Sequence, residues 1–519
     1  MKLTLSLSAA LMATASMAAA EYTLHILHTN DMHSRIESIN RFDSTCDADG
    51  EAEGKCFGGI ARVKAAIDAK KAELGNAPVI VVDAGDPFQG SLFYSTYKGA
   101  AEAEFMDQMG YDAMAVGNHE FDDGPQGLSD FIDMVSFPVI SGNLDLSGEP
   151  LLDGKVGNHV VLDVGGRKVG IVSALATDTV ETSSPGDGVV FEDELAALSL
   201  DVAALEDEGV DVVIALTHVG LNRDLEIAAA VPGIDVIIGG HSHTLMSNDD
   251  PDTPAYPTMV NDTAVAQAYA YTKYLGHLAV TFDDAGKITA VSGEPVLLDA
   301  SVTPDAAFLA RIAEMGEPIE ALKKQVVAES SADIVGAREE CRAGECPMGN
   351  LITDAMLDRV KDQGIEIAFQ NGGGIRASID AGEVTMGEVL TVLPFQNTLS
   401  TFQVSGATLI AALENGVSQL EDGAGRFPQV AGMAYAFDAS QPAGSRISDV
   451  TVGGAPIELE KIYGVVSNNY VRNGGDGYAM FTDAANAYDF GPDLADVTAE
   501  FLAENGPYTP YLDGRITKK

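Results

Sequence analysis

One short segment carries an amide, an imidazole and a carboxylate at close spacing. Asn118 and His119 follow Gly117, and Asp122 comes three residues after the imidazole. An amide oxygen can bind a metal, an imidazole can transfer a proton near neutral pH, and a carboxylate can hold that imidazole in one tautomer. By itself the segment could equally be a turn with a surface histidine, so the choice between the two interpretations depends on the rest of the chain.

Matching residues follow four other apolar runs. Asp31 and His33 come after the alternating run 22–29, and Asp86 comes after the run 78–82. His218 follows the run 210–216, and the pair His241 and His243 follows the run 234–238. Five of the nine histidines lie in these short loops, which is more clustering than a structural role requires. The two histidines inside the first run, His25 and His28, are expected to pack or form hydrogen bonds and not to bind a ligand.

These side chains suit a pair of divalent transition metals. Mixed carboxylate, amide and imidazole ligands are typical of zinc, manganese or cobalt. One carboxylate, Asp86, is expected to bridge two metals roughly 3.5–4 Å apart, where they can bind a phosphoryl group and activate water. His119, oriented by Asp122, is available to stabilise the phosphoryl oxygens or to protonate the leaving oxygen.

The elements that must position these loops alternate between strands and helices. Apolar runs predict strands, and the segments 60–74, 102–109 and 195–208 have helical spacing. Ligands at strand ends are typical of an α/β domain whose site lies beyond the strand termini. We expect a signal peptide at 1–20, a metal-binding domain at 21–302, a linker helix at 303–327 and a second domain at 328–519.

The second domain contains the polar and aromatic residues of a substrate site. Arg342 lies between two cysteines, and three glycines separate Asn371 from Arg376. Phe395 and Tyr470 could stack on a flat base, and Asp476 could accept hydrogen bonds from ribose. Each could instead be a surface charge, a turn residue or a core aromatic. Their occurrence together on glycine-rich loops favours the binding interpretation.

Composition limits the class of protein. The 519 residues are 46% hydrophobic, which suits two or three globular domains. The chain has 30 basic and 78 acidic residues, a formal charge of −48 that opposes binding to nucleic acid polymers and anionic membranes. A phosphate-bearing substrate therefore needs local cations. We found no internal repeat and no low-complexity tract.

The ends of the chain and its cysteines indicate export. Lys2 precedes a short apolar stretch that ends in small residues, as in a secretory signal peptide. Later segments are too short to span a membrane, and the polar C-terminus lacks a lipid-anchor signal. Four cysteines allow three pairings, and the spacing favours two local disulfides, Cys46 with Cys56 and Cys341 with Cys346. We expect an exported protein without a membrane anchor, placed in the periplasm or outside the cell.

Taken together, the loop motifs resemble those of a known family. Asp-Met-His at 31–33, Gly-Asp at 85–86, Gly-Asn-His-Glu-Phe-Asp at 117–122, Thr-His at 217–218 and Gly-His-Ser-His at 240–243 resemble the motifs of calcineurin-like metallophosphoesterases. With the segments 371–376 and 473–477, the chain resembles the secreted 5′-nucleotidase / UDP-sugar hydrolase family. The resemblance implies a four-layer α/β sandwich, a linker helix and an α+β nucleoside-binding domain. It also implies that the second domain rotates to carry substrate to the metals.

The resemblance also assigns roles to particular residues. One metal would be held by Asp31, His33, Asp86 and His243, and the other by Asp86, Asn118, His218 and His241. His119 and Asp122 would form the catalytic pair. Substrate would be bound by Arg342, Asn371 and Arg376, by the aromatic pair Phe395 and Tyr470, and by Asp476. Tyr470 stands where some members have phenylalanine, which keeps stacking and adds a hydroxyl.

The sequence therefore predicts an exported dimetal phosphohydrolase that acts on nucleoside 5′-monophosphates, with UDP-sugars as further candidate substrates. A 2′,3′-cyclic nucleotide phosphodiesterase of the same fold is the nearest alternative, and a sulfur-oxidation thioesterase relative is more distant. A nucleotide-binding relative without catalysis is opposed by competent residues at all seven expected ligand positions. Metal identity, base preference and oligomeric state stay open.

Overall fold

The computed structural model describes residues 21–519, apart from Phe42, Ser44 and Phe490 and the side chains of Glu181, Thr182 and Asp422. The predicted signal peptide at 1–20 lies outside the described residues. No helix among the described residues has the length and apolar character that crossing a membrane requires.

The N-terminal region is built from strands and helices that largely alternate. The strands are β1 (Tyr22–Thr29), β2 (Val79–Asp83), β3 (Ala113–Ala115), β4 (Val139–Ile140), β5 (Leu144–Asp145), β6 (His159–Val164), β7 (Arg167–Leu175), β8 (Val190–Phe191), β9 (Val212–His218), β10 (Val236–Gly239), β11 (Thr258–Val260), β12 (Thr263–Ala266), β13 (Tyr274–Phe282), β14 (Ile288–Gly293) and β15 (Val296–Leu297). The helices are α1 (Ala48–Ala52), α2 (Ile60–Leu74), α3 (Leu92–Tyr97), α4 (Ala100–Met109), α5 (Gly124–Met134), α6 (Thr179–Thr182), α7 (Glu194–Asp207), α8 (Leu221–Ala230) and α9 (Ala306–Lys323).

Two sheets contain most of these strands. The first has the order β14-β13-β1-β2-β3-β4, with β15 paired to β13, and the second has the order β11-β12-β10-β9-β7-β6. Strands β1 to β4 are parallel, and so are β7, β9, β10 and β12. The carboxyl ends of parallel strands meet at one edge of a sheet, so the loops with the candidate ligands are brought together there.

Three apolar layers hold the sheets and helices together. Alternate residues of a strand face opposite sides of the sheet. Ile26 and Ile214 therefore belong to the core between the two sheets, whereas Leu27 faces the core under helices α2, α4 and α5. Val213 faces the core under α7 and α8. The result is the helix–sheet–sheet–helix order of the predicted four-layer sandwich.

Helix α9 follows this region and packs on the side of the first sheet that the helices cover. Asp305 caps its N-terminus by accepting hydrogen bonds from the amides of Ala307 and Phe308 at 2.9 Å. The helix covers Ala306–Lys323 and is shorter than the predicted segment 303–327, because β16 begins at Val326 and pairs with β18.

The C-terminal region mixes antiparallel strands with helices. Its strands are β16 (Val326–Ser330), β17 (Ile367–Asn371), β18 (Gly382–Thr385), β19 (Leu399–Ser405), β20 (Pro428–Ala431), β21 (Met433–Phe437), β22 (Ile447–Val452), β23 (Ala455–Pro456), β24 (Ile462–Asn468), β25 (Ala485–Tyr488) and β26 (Ile516–Lys518). Its helices are α10 (Arg338–Cys341), α11 (Pro347–Arg359), α12 (Met386–Val392), α13 (Gly406–Gly416), α14 (Asn469–Arg472) and α15 (Leu494–Glu504). The sheet β20-β17-β24-β19-β25 has apolar layers on both faces, one under α11 and α15 and the other under α13.

Both local disulfides are formed. Cys46 bonds to Cys56 and Cys341 bonds to Cys346, as the spacing predicted. The second bond closes the loop that carries Arg342.

Candidate active site

In the first group of ligand candidates, the side-chain nitrogen and oxygen atoms lie close together at the edge of the sheet. Nε2 of His243 lies 3.3 Å from Oδ1 of Asp31 and 2.9 Å from Nε2 of His33. Nε2 of His33 is also 3.9 Å from Oδ2 of Asp86. The other ring nitrogen of His33 lies 3.2 Å from the carbonyl oxygen of Phe88, which can only accept a hydrogen bond. Nε2 of His33 is therefore the nitrogen that carries the lone pair, and it faces the group.

The second group shares Asp86. Nε2 of His218 lies 3.0 Å from Oδ2 of Asp86, and Nδ1 of His241 lies 2.9 Å from Oδ1 of Asn118. Nδ1 of His218 donates to the carbonyl oxygen of Ala84 at 2.7 Å, which fixes the tautomer of this ring as well. All seven predicted ligands thus lie at this sheet edge, within two groups that meet at Asp86.

The residues present fit two divalent metals. Two ligand atoms, each about 2.1 Å from the same metal, are roughly 3 Å apart, which is the separation found in both groups. Oδ2 of Asp86 and Nε2 of His218 are both buried and face each other at 3.0 Å without hydrogen-bond geometry. With the proton of His218 on Nδ1, two lone-pair-bearing atoms face each other there, and a cation would satisfy both. The donor set of carboxylate, amide and imidazole suits zinc, manganese or cobalt.

The backbone at these positions is strained. Five of the seven predicted ligands have a positive φ, namely Asp31, His33, Asp86, His241 and His243. Such conformations cost about 1–3 kcal/mol each in residues other than glycine and cluster at functional sites. A Cβ at Gly117 would lie 2.2 Å from Oδ1 of Asp86, so only glycine allows the loops after β2 and β3 to approach this closely.

The two carboxylates of the site are held in the ionised form. Burial raises the pKa of Asp86, but the charges of His218 and His119 outweigh it and hold that pKa well below its usual range. Burial acts in the same way on Asp31, and His243 lowers its pKa. Ionised carboxylates are the form that binds metal.

The histidines of the site differ in their pKa. Burial lowers the pKa of His33 well below its usual range and that of His241 to about 4, so both are neutral ligands at pH 7. Burial also acts on His218, but the nearby carboxylate of Asp86 outweighs it and raises the pKa to about 10.

His119 and Asp122 form a hydrogen-bonded pair next to the metal loops. Nδ1 of His119 lies 2.6 Å from Oδ2 of Asp122, and the hydroxyl of Ser183 donates to the other oxygen of Asp122 at 2.8 Å. Burial lowers the pKa of His119, but Asp122 and Asp86 outweigh it and raise that pKa to about 9. Ser183 could not be identified from the sequence, because a single serine in a loop belongs to no recognisable motif.

Glu120, inside the same motif, received no role from the sequence. Its carboxylate is fully buried and accepts hydrogen bonds from the backbone amides of Gly117, Asp86 and Phe88. Burial raises its pKa to about 8, whereas these amide donors favour the ionised form. The sequence feature that could have pointed to Glu120 is its position inside the motif.

The polar residues of the second predicted site also lie together. Nδ2 of Asn371 donates to Asp476 at 2.7 Å, and the hydroxyl of Tyr470 lies 3.1 Å from the other oxygen of that carboxylate. Nη1 of Arg342 donates to the carbonyl oxygen of Gly423 at 3.3 Å, and burial, with the charges of Arg338 and Arg376, lowers the pKa of this guanidinium. The arrangement offers cations and acceptors to a phosphorylated sugar.

A cleft connects the metal loops with the aromatic pair. A cavity of about 820 Å³ is lined by His241 and His243 on one side and by Phe395 and Tyr470 on the other. The guanidinium of Arg376 lies over the ring of Phe395, 5.5 Å from its centre. The cavity is large enough for a nucleotide, since small-molecule pockets range from about 300 to 1,000 Å³.

Comparisons with known proteins agree with this arrangement. Residues 24–245 match the family described as calcineurin-like phosphoesterase, and residues 326–483 match the 5′-nucleotidase, C-terminal domain. A 5′-nucleotidase of Diplobatis ommata is 39% identical, over 96% of this chain and 90% of the relative. The chain belongs to the 5′-nucleotidase family. The predicted resemblance and fold class are therefore confirmed, and the protein is a hydrolase of the metallophosphoesterase class, whose members use two divalent metals.

Further relatives of this 5′-nucleotidase family member span nearly its whole length. The human 5′-nucleotidase is 35% identical over 96% of this chain and 91% of its own. The crystal structure of a 5′-nucleotidase precursor from Thermus thermophilus is 41% identical, with a TM-score of 0.62 over 96% of this chain and 99% of that one. The NAD nucleotidase of Haemophilus influenzae is 26% identical, with a TM-score of 0.79 over the same shares.

Proposed function

We propose that this protein is an exported dimetal phosphohydrolase that releases phosphate from nucleoside 5′-monophosphates. The observation that carries the proposal is the convergence of seven metal-binding side chains on two groups that share Asp86, beside the pair formed by His119 and Asp122. The aromatic pair Phe395 and Tyr470 opens on the same cleft. A metal-binding centre and a base-binding surface within one cleft suit a nucleotide.

The proposed division of labour follows from the contacts. The seven ligands would hold two divalent cations, which would supply charge to polarise the phosphoryl group and to lower the pKa of the attacking water. His119, oriented by Asp122, stabilises the phosphoryl oxygens or gives a proton to the leaving 5′ oxygen of the nucleoside. Phe395 and Tyr470 stack on the base, Arg342, Asn371 and Arg376 bind phosphate and ribose, and Asp476 accepts from the ribose hydroxyls.

Replacing His119 tests the mechanism. We expect His119→Ala to lower kcat about 10²–10⁴-fold, the usual contribution of a positioned acid, while metal content measured by mass spectrometry stays at the level of the unchanged chain. His25→Ala is the matched control, because His25 pairs with His277 on β13, away from the strand ends. Unchanged turnover in His119→Ala would remove this residue from the mechanism.

The substrate class needs a separate experiment. Phosphate release and the nucleotide products, separated by chromatography, are measured with AMP, UMP, UDP-glucose, ATP and 2′,3′-cyclic nucleotides, each with and without chelator. We expect AMP or UMP to react fastest, with UDP-glucose as a further substrate, and chelator to stop the reaction. Preference for cyclic nucleotides would favour the phosphodiesterase alternative. No hydrolysis after adding zinc, manganese or cobalt would favour a non-catalytic binding protein.

Export and domain division are also proposed. The two disulfides fit an oxidising compartment, and N-terminal sequencing of the protein from its source should find cleavage after residue 20. We place the metal-binding domain at 21–302, the linker at 303–327, with α9 as its helical part, and the substrate domain at 328–519.

A further inference from the structure

Three backbone amides donate hydrogen bonds to one buried carboxylate, that of Glu120. Oε2 of Glu120 accepts from the amide of Gly117 at 2.7 Å and from the amide of Asp86 at 3.1 Å. Oε1 accepts from the amide of Phe88 at 3.4 Å. The first donor lies just beyond β3 and the other two lie just beyond β2, so the side chain joins the two loops.

The carboxylate of Asp86 depends on this junction for its position. Asp86 has φ 60°, a strained conformation that its surroundings must enforce. Its Oδ1 accepts from the amide of His119 at 2.9 Å, and its Oδ2 lies 3.0 Å from Nε2 of His218. A shift of the Asp86 backbone would therefore move the one carboxylate that both metal groups share.

We propose that Glu120 is a positioning residue: it fixes the backbone of Asp86 against that of Gly117 and thereby sets the affinity of the site for its metal pair. The inference rests on the proposed dimetal function. Glu120 acts through Asp86 and does not contact substrate. Groups that orient metal ligands typically contribute 10- to 100-fold to metal affinity or activity.

The chemistry requires a carboxylate at this position. Both oxygens of Glu120 accept hydrogen bonds from backbone N–H groups, so an NH₂ group at either position would meet another donor. In Glu120→Gln one oxygen becomes an NH₂ group, which faces an amide N–H as a second donor. Glu120→Asp keeps two acceptors on a side chain that is one methylene shorter and should keep part of the hydrogen bonding.

The same pair of strands supplies a matched control. Oδ2 of Asp112 accepts from the amide of Val81 at 2.8 Å, so this carboxylate also joins β2 to β3, at the opposite end from the site. Asp112→Asn keeps an acceptor oxygen but removes the charge that strengthens this bond, so it weakens a link between the same strands without touching the metal loops.

The test measures metal binding and turnover in parallel. The full chain is stripped with chelator and titrated with Mn²⁺ by calorimetry, and kcat and KM are then measured with AMP. We expect Glu120→Gln to weaken Mn²⁺ affinity and lower kcat by about 10- to 100-fold, with KM changed less than about threefold. Glu120→Asp should recover part of the affinity. Asp112→Asn should lower the thermal midpoint and leave affinity and kcat unchanged.

Other outcomes overturn the proposal. Wild-type Mn²⁺ affinity in folded Glu120→Gln would overturn it, and so would an equal loss of affinity in Asp112→Asn. If circular dichroism shows that Glu120→Gln does not fold, Glu120→Asp decides, and wild-type affinity there counts against the proposal. A wild-type chain that binds two Mn²⁺ but releases no phosphate overturns the proposed function. The role of Glu120 is then still decided by comparing the Mn²⁺ affinities of the variants with that of the wild type. A wild-type chain that binds no Mn²⁺ overturns both.

Discussion

Tyr470 combines an exposed ring with a hydroxyl that is held in place. The side chain is 46% exposed and lines the cleft. Its hydroxyl accepts from the amide of Asp476 at 3.2 Å and lies 3.1 Å from the carboxylate of the same residue. The hydroxyl therefore orients the ring relative to Asp476, the proposed ribose acceptor, while the exposed ring face is available for stacking.

Two substitutions separate these roles. Loss of base stacking costs about 1–3 kcal/mol, so Tyr470→Leu should raise KM for AMP roughly 5- to 100-fold with a smaller effect on kcat. Tyr470→Phe keeps the ring and should raise KM less than about fivefold. Steady-state kinetics with AMP checks both. Equal KM values in Tyr470→Leu and the unchanged chain would show that this ring does not bind the base.

His28 is a buried histidine whose ionisation opposes folding in acid. It lies near the end of β1, and its Nε2 lies 2.7 Å from the hydroxyl of Tyr256. Burial, with a smaller contribution from the charge of His277, lowers its pKa to about 3. As pH falls below about 6.5, the unfolded chain takes up a proton at this residue and the folded chain does not, so unfolding is favoured.

Urea unfolding at pH 7.5 and pH 5.0 tests this contribution. With pKa values of about 3 folded and about 6.5 unfolded, His28 accounts for about 2 kcal/mol of the stability lost between these two pH values. His28→Gln should be less stable at pH 7.5 but should lose about 2 kcal/mol less on acidification. Metal concentration is kept constant in both proteins. An identical loss in both would contradict the assignment.

At the scale of elements, the short loop closed by Cys341 and Cys346 carries a candidate phosphate ligand. Nε2 of Gln429, on β20, donates to the carbonyl oxygens of Cys341 and Gly344 at 2.9 and 2.7 Å. Nη1 of Arg342 donates to the carbonyl oxygen of Gly423 at 3.3 Å. The disulfide and the sheet therefore hold the loop from two sides and limit the positions that the guanidinium can take.

Opening this loop should affect binding more than opening the other one. The double substitution Cys341→Ser with Cys346→Ser should cost about 2 kcal/mol of stability, the loop-closure value for so short a loop, and should raise KM for AMP several-fold. Cys46→Ser with Cys56→Ser is the control and should lower stability with little change in KM. Thermal unfolding and steady-state kinetics provide the two measurements. A larger KM effect in the control would place the binding role elsewhere.

At the scale of the whole molecule, the charge of −48 opposes compaction. Like charges distributed over the surface repel one another, and folding brings them closer together. Salt screens this repulsion, since the Debye length falls from about 30 Å at 0.01 M to about 10 Å at 0.1 M. The metal pair acts in the same direction locally by adding positive charge at the acidic sheet edge.

Thermal unfolding should therefore depend on salt. At pH 7 we expect Tm to rise by several degrees between 0.01 M and 0.5 M sodium chloride, at constant metal concentration. At pH 4.5, near the sequence pI of about 4.2, the increase should be much smaller because the net charge is small. A fall in Tm with salt at pH 7 would show that attractive ion pairs outweigh the repulsion.

The sequence by itself determined the elements and the composition of the site. Apolar runs such as 78–82 predicted buried strands, helical spacing predicted α2 over its observed length, and the loop motifs supplied the seven ligand candidates with His119 and Asp122. These features can be predicted from local sequence, because the period of the apolar residues shows which face of a helix or strand is buried, and glycine marks where the backbone turns.

Only the tertiary structure decided which loops meet and which groups support them. Nothing in the pattern of β1 shows that it lies between β13 and β2, because periodicity does not name the partner strand. Three contacts join side chains to groups that no local sequence pattern predicts. They are the contacts of Glu120 with Asp86, of Ser183 with Asp122 and of Tyr470 with Asp476. A hydrogen bond depends on distance in space, and that distance is set when the packed layers bring the loops to one edge.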